Sequence, residues 1–187
     1  MNTAGELKIV FTGPMGAGKT TAIAAVSDFA PVRTEVANND QETFAKESTT
    51  VALDLGQLAL EDGTVVRLYG TPGQSRFSFM WEILGRGAIG VILLLDGSNP
   101  DLCAELRTYA EVFRRIAPDQ PLIVGVGRTP PHDDRYVEAC RTTLATLGCI
   151  APVLSVDVRE RADVLLIIET LLTMLEARAA EVGNDVH

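Results

Sequence analysis

Residues 7–20, LKIVFTGPMGAGKT, constrain this chain more than any other stretch. An apolar run of Leu7, Ile9, Val10 and Phe11 ends at Gly13, and G-x-x-x-x-G-K-T then closes on Gly18, Lys19 and Thr20. The helix-forming segment TAIAAV follows. Strand, glycine-rich loop and helix in this order are what a phosphate-binding P-loop requires. Glycine opens backbone conformations closed to other residues, so several N–H groups can point at one anion. A helix starting near Gly18 adds the positive end of its dipole. Gly13, Pro14, Met15, Gly16, Ala17, Gly18, Lys19, Thr20 and Thr21 are therefore the phosphate-binding candidates. Within them Lys19 reaches the terminal phosphates and the Thr20 hydroxyl binds Mg2+.

Composition narrows what surrounds this loop. At 187 residues the chain is expected to form one domain, with residues 1–6 and 182–187 fraying. A net charge of −9 argues against a nucleic-acid partner, whereas a P-loop binds phosphates through local dipoles and one lysine. Cys103, Cys140 and Cys149 lack metal-ligand spacing and read as reduced thiols of a cytoplasmic protein. With only His132 and His187, most histidine metal sites and Ser-His nucleophiles drop out. The longest apolar stretch, 88–95, is too short to span a membrane, and neither a signal peptide nor a lipid-anchor motif is read.

Beyond the first helix (about 18–28), residues 31–48 are polar and aperiodic, an expected long loop. TVALDLGQLAL and TVVRLY alternate apolar and polar residues around Asp62-Gly63, which predicts a hairpin. Residues 75–87 are expected to be irregular and then helical. Strands are then predicted at 88–95, 121–126 and 151–156, with helices at 101–116, 134–147 and 161–181. Asn99 or Asp101 is the expected cap of the 101–116 helix. The pattern predicts a three-layer α/β fold of the P-loop NTPase type. Its six-stranded sheet is mainly parallel, with one antiparallel edge strand and ligands at the carboxyl ends of the strands.

The order of a P-loop, a TTVALD strand and a TPGQ turn resembles the Ras-like small GTPases. The stretch YGTPGQSRFSFMWEILGRGAIGV is similar, more narrowly, to the bacterial branch encoded in actinobacterial conservons beside roadblock-fold proteins. The resemblance covers about residues 7–175 and implies GTP or GDP with Mg2+ as ligands. It also implies a slow GTPase that needs a partner for full rate, and switch loops at 31–50 and 70–81. Thr50, or next Thr49, would bind Mg2+ and sense the γ-phosphate. Gly73 would offer its N–H to that phosphate, and Gln74 would orient the attacking water. Lys19, Thr50 and Gln74 are thus the expected catalytic set, and Thr20 and Thr50 the expected metal ligands. Arg76 could act in cis or remain a surface arginine. Phe77, Phe79, Met80 and Trp81 pack on the neighbouring helix or offer a partner surface. A roadblock (LC7-type) regulator, a downstream effector and recruitment to a membrane sensor complex are further implications of the resemblance.

The sequence departs from the family in two places. Gly70 stands where the family has a Mg2+-holding aspartate; Asp54, or more weakly Asp96, is a candidate substitute. The family's N-K-x-D, which reads guanine, is here Gly127, Arg128, Thr129 and Pro130. Arg128 could stack on the base, and Asp133 or Asp134 could either swing in or cap the next helix. Asp157, Val158 and Arg159 match the last base-contacting loop. The alternatives are a degenerate nucleotide-binding scaffold with relaxed base choice and a P-loop kinase of a small molecule. The kinase would need an arginine-rich lid, and only Arg33 and Arg159–Arg161 are available for one.

Overall fold

The computed structural model describes residues 6–36, 51–74 and 78–184. The P-loop strand is β1 (Glu6–Thr12), and its helix is α1 (Lys19–Val26). There follow β2 (Val32–Val36), β3 (Val51–Ala59), β4 (Val65–Gly70) and α2 (Ser78–Gly85). The regular alternation continues through β5 (Gly90–Asp96), α3 (Leu102–Ile116), β6 (Leu122–Gly127), α4 (Arg135–Thr146), β7 (Val153–Ser155) and α5 (Arg161–Asn184).

The strands form one sheet in the order β2-β3-β4-β1-β5-β6-β7. All six expected strands are present, and Val32–Val36 adds a seventh inside the stretch read as a loop. Five residues carry too little periodicity to announce a strand; pairing with β3, from Val32 opposite Leu55 to Val36 opposite Val51, makes it one. Strand β3 runs antiparallel to both β2 and β4, so the antiparallel member sits one place in from the edge.

Period two along β5 splits the core into two layers. Ile92 and Leu94 face a cluster containing Ile23 of α1 and Val164, Ile167 and Leu171 of α5. Val91, Leu93 and Leu95 face the opposite cluster, with Leu106, Tyr109 and Phe113 of α3 and Val137 and Leu144 of α4. Helices thus cover both faces, as an all-apolar central strand demands. The Asn99 side chain accepts the Asp101 N–H at 2.9 Å, while Asp101, the N-cap of α3, makes no side-chain cap bond. The carboxyl ends of β1, β4, β5, β6 and β7 share one rim, which carries the site.

Candidate functional site

The loop between β1 and α1 folds as the glycines dictate. Gly13 adopts φ 136°, and a Cβ there would lie 2.1 Å from the Leu94 carbonyl oxygen, so no side chain fits. Gly18, at φ 93°, begins α1 without a side-chain cap, leaving the first N–H groups of the helix directed into the loop. Lys19 is only 8% exposed. Its ammonium donates to the carbonyls of Gly13 and Pro14, at 2.7 Å each. Burial lowers its pKa from 10.5 to about 8, against an opposing pull from Asp54.

Asp54 brings a carboxylate to the same rim, beside Thr20. The Thr20 hydroxyl donates to its Oδ2 at 2.5 Å. On the β3–β4 ladder Asp54 stands directly opposite Gly70. A Cβ at Gly70 would sit 3.0 Å from the Asp54 Cβ, 3.2 Å from its Oδ2 and 3.1 Å from Ile23 Cδ1. The glycine therefore leaves the space that the Asp54 carboxylate uses. The other candidate, Asp96, lies elsewhere: it accepts from the Ser98 hydroxyl at 2.6 Å and pairs with Arg128. Among the described residues no three His, Cys, Asp or Glu side chains gather around one point. The possible metal donors there are one hydroxyl and one carboxylate, all oxygen.

Residues 71–74 lie against the P-loop. The Thr71 hydroxyl donates to that of Thr12 at 3.0 Å, in the core. A Cβ on Gly73 would come within 2.4 Å of the Met15 nitrogen and 2.7 Å of the Pro14 carbonyl carbon. Gln74 is exposed, and its amide reaches the Met15 sulfur at 3.8 Å. Met80 and Trp81 are buried, packing inward rather than forming an exposed patch. Thr49, Thr50, Arg76 and Phe77 lie outside the described residues, as does the side chain of Phe79.

Beside the loop opens a cavity of about 710 Å³. Ala17, Gly18 and Thr21 form its P-loop wall, and the segments 127–129 and 155–159 form the far wall. Arg128, Asp157, Val158 and Arg159, all expected at a base site, line it. Asp133 and Asp134 do not. Asp133 is held by Arg135 through contacts of 2.8 and 2.7 Å, and Asp134 caps α4 without a side-chain bond. The acids that do line the cavity are all engaged. Arg128 takes φ 54°, a left-handed conformation costly for a residue with a Cβ, and ion-pairs with Asp96. Burial opposes ionisation of Asp96, but the Ser98 hydroxyl and N–H and the Arg128 guanidinium together hold its carboxyl below the ordinary value. Arg159, through its side chain and N–H, pulls Asp157 down to about 2. Asp163 accepts the Asp157 N–H at 2.8 Å. Asp96 and Arg128 are each candidates from sequence, but their pairing escapes sequence reasoning because they stand 32 residues apart, and Asp163, whose partner is Asp157, carries no motif of its own. Only the position of Asp96 at the end of an all-apolar strand hints at its place.

A P-loop on a mainly parallel, helix-covered sheet, with a cavity at the strand ends, defines a P-loop nucleotide-binding protein. The chain belongs to the family described as conserved hypothetical ATP binding proteins, whose model matches residues 11–113, just over half of it. It is 25% identical to the GTP-binding protein ypt4 of Schizosaccharomyces pombe, over 65% of this chain and 50% of that protein. It is 26% identical to the Ras-related protein RabC of Dictyostelium discoideum, over 64% of this chain and 58% of that one. An uncharacterized protein of Methanocaldococcus jannaschii is 31% identical over 50% of this chain and 53% of its own length. The chain thus spans about half the length of the curated relatives it matches. No helix among the described residues is long and apolar enough to cross a membrane.

Proposed function

We propose that this chain is a nucleotide-dependent switch that binds GTP and GDP with Mg2+ and hydrolyses GTP slowly. One observation carries the reading: Lys19, Thr20 and Asp54 meet at the P-loop, and Gly73 lies against the same loop. Lys19, now bonded to the loop's own carbonyls, turns to the terminal phosphates. An oxygen pair from Thr20 and Asp54 suits Mg2+, which keeps several waters and takes few protein ligands. Thr20 and Asp54 would hold the cation, which would supply positive charge against the charge developing on the phosphates. Asp54 thereby stands in, across the ladder, for the acid missing at Gly70. Gln74, exposed beside the loop with its amide on the Met15 sulfur, would turn to orient water, and Thr50, outside the described residues, is assigned the metal contact of the first switch. The single-domain organisation, the conservon-type branch, a roadblock-fold regulator and an effector reading loops 31–50 and 70–81 belong to this proposal. Their support is the resemblance of 69–91 and the exposed Met15, 74% accessible, on the loop itself.

Relaxed base choice is the second reading, and the engaged acids favour it. With Asp96 paired to Arg128, Asp157 to Arg159 and Asp163 accepting the Asp157 N–H, guanine N1 and N2 would have to compete with an existing partner at every lining carboxylate. Sites that do make such bonds reject the wrong ligand by 10⁴–10⁵, and sites that do not fall far short. Competition between labelled GTP and unlabelled GTP, GDP or ATP, with and without Mg2+, tests both readings. GTP should outbind ATP by about tenfold or less, the worth of one neutral hydrogen bond. A preference of several thousandfold would refute relaxed base choice, and failure of every nucleotide to bind would refute the switch.

The lowered pKa of Lys19 adds a pH dependence. In the empty loop its ammonium titrates near 8, and phosphates must raise that value because they favour the charged form. Binding above pH 8 therefore takes up a proton, and triphosphate affinity should fall as pH rises through about 8. Calorimetry at pH 8.5 in two buffers of different ionisation heat measures the uptake directly; equal heats would contradict it.

A further inference from the structure

Two aromatic donors hold the segment 72–74 from beneath. The Trp81 indole N–H donates to the Pro72 carbonyl at 3.0 Å, and the Tyr109 hydroxyl donates to the Gly73 carbonyl at 3.3 Å. The two rings stack on one another with centroids 4.5 Å apart, and Trp81 also stacks on Phe113 at 6.3 Å. Trp81 is 2% exposed and Tyr109 is 5% exposed. In a trans peptide, the carbonyl and the N–H of one unit point in opposite directions. Fixing the Pro72 carbonyl on Trp81 therefore aims the Gly73 N–H away from the core. Fixing the Gly73 carbonyl on Tyr109 does the same for the Gln74 N–H. The side away from the core is the P-loop side, where Gly73 already lies against Met15 and Pro14.

We propose that Trp81 and Tyr109 are positioning residues that aim the Gly73 and Gln74 N–H groups at the third phosphate, and so set the preference for triphosphate over diphosphate. The inference rests on the switch reading above. Neither aromatic touches the nucleotide: each acts through a carbonyl, and the stack on α3 supplies the rigidity. A diphosphate does not reach these N–H groups, so its affinity is indifferent to them. Packing alone explains buried rings, but it does not require both polar tips to end on consecutive carbonyls of the same loop.

The test compares binding of a non-hydrolysable GTP analogue with binding of GDP, in the full chain and in the Tyr109→Phe and Trp81→Phe variants. Tyr109→Phe keeps the ring stack and removes only the hydroxyl. It should weaken analogue binding about three- to tenfold while leaving GDP binding unchanged. Trp81→Phe should act in the same direction. Trp81 is the chain's one tryptophan, so melting followed by its emission shows that Tyr109→Phe remains folded. If the wild-type protein binds neither nucleotide, the switch reading falls and takes this inference with it. If the wild type binds both, but Tyr109→Phe weakens them equally or not at all, the inference alone is overturned.

Discussion

Lys19→Ala should lower GTP affinity by about 100-fold or more while leaving the protein folded. The ammonium is buried and donates to two loop carbonyls. In a loaded site it lies between those carbonyls and the phosphates, making hydrogen bonds to charged groups worth about 1.5–3 kcal/mol each. Two such bonds correspond to at least two orders of magnitude in affinity. The fold itself loses little. Burial of the charge carries its own cost, which the lowered pKa records, and removing the side chain relieves that cost against the two hydrogen bonds it loses. Lys19→Arg should fail almost as badly, because a planar fork cannot occupy the space of a compact ammonium. Equilibrium binding and thermal melting on the same samples separate affinity from stability. Wild-type affinity in Lys19→Ala would mean that the loop does not hold phosphate in the manner proposed.

What the sequence revealed, and what it hid, follows from the distance over which each feature is specified. The P-loop was legible because its cause is local: glycines where φ is positive, a lysine and a threonine at fixed spacing, a strand before and a helix after. The all-apolar β5 and the amphipathic α3 were legible for the same reason. Strand β2 was not, since its five residues become a strand only by pairing with β3. Asp54 could be named a candidate from sequence. What makes it more than a solvated strand residue is the register that sets it opposite Gly70, and register is a property of two strands. The Asp96–Arg128 pair and the hold of Trp81 and Tyr109 on residues 72–73 join segments that only the closed fold brings together. No local pattern encodes them.

The register also yields the sharpest test of the metal site. Asp54→Ala should remove most of the Mg2+ dependence of GTP binding, so that affinity with Mg2+ falls about 10- to 100-fold towards the value without it. Gly70→Asp alone should not rescue the site and should destabilise the protein by about 1–3 kcal/mol. Its Cβ would press on the Asp54 Cβ at 3.0 Å and on Ile23 at 3.1 Å, and a second carboxylate would crowd the first. The exchange Asp54→Gly with Gly70→Asp relieves both problems. The acid then stands on β4 and the space on β3, in the same cross-strand pair. The doubly exchanged protein should therefore recover stability relative to Gly70→Asp and regain part of the Mg2+ dependence lost in Asp54→Ala. Recovery of this kind is non-additive, as expected when two residues share one volume and one ligand. Full Mg2+ dependence in Asp54→Ala would show that the cation is held without this carboxylate. An exchange variant that is stable but indifferent to Mg2+ would show that Asp54 and Gly70 share space but not a metal.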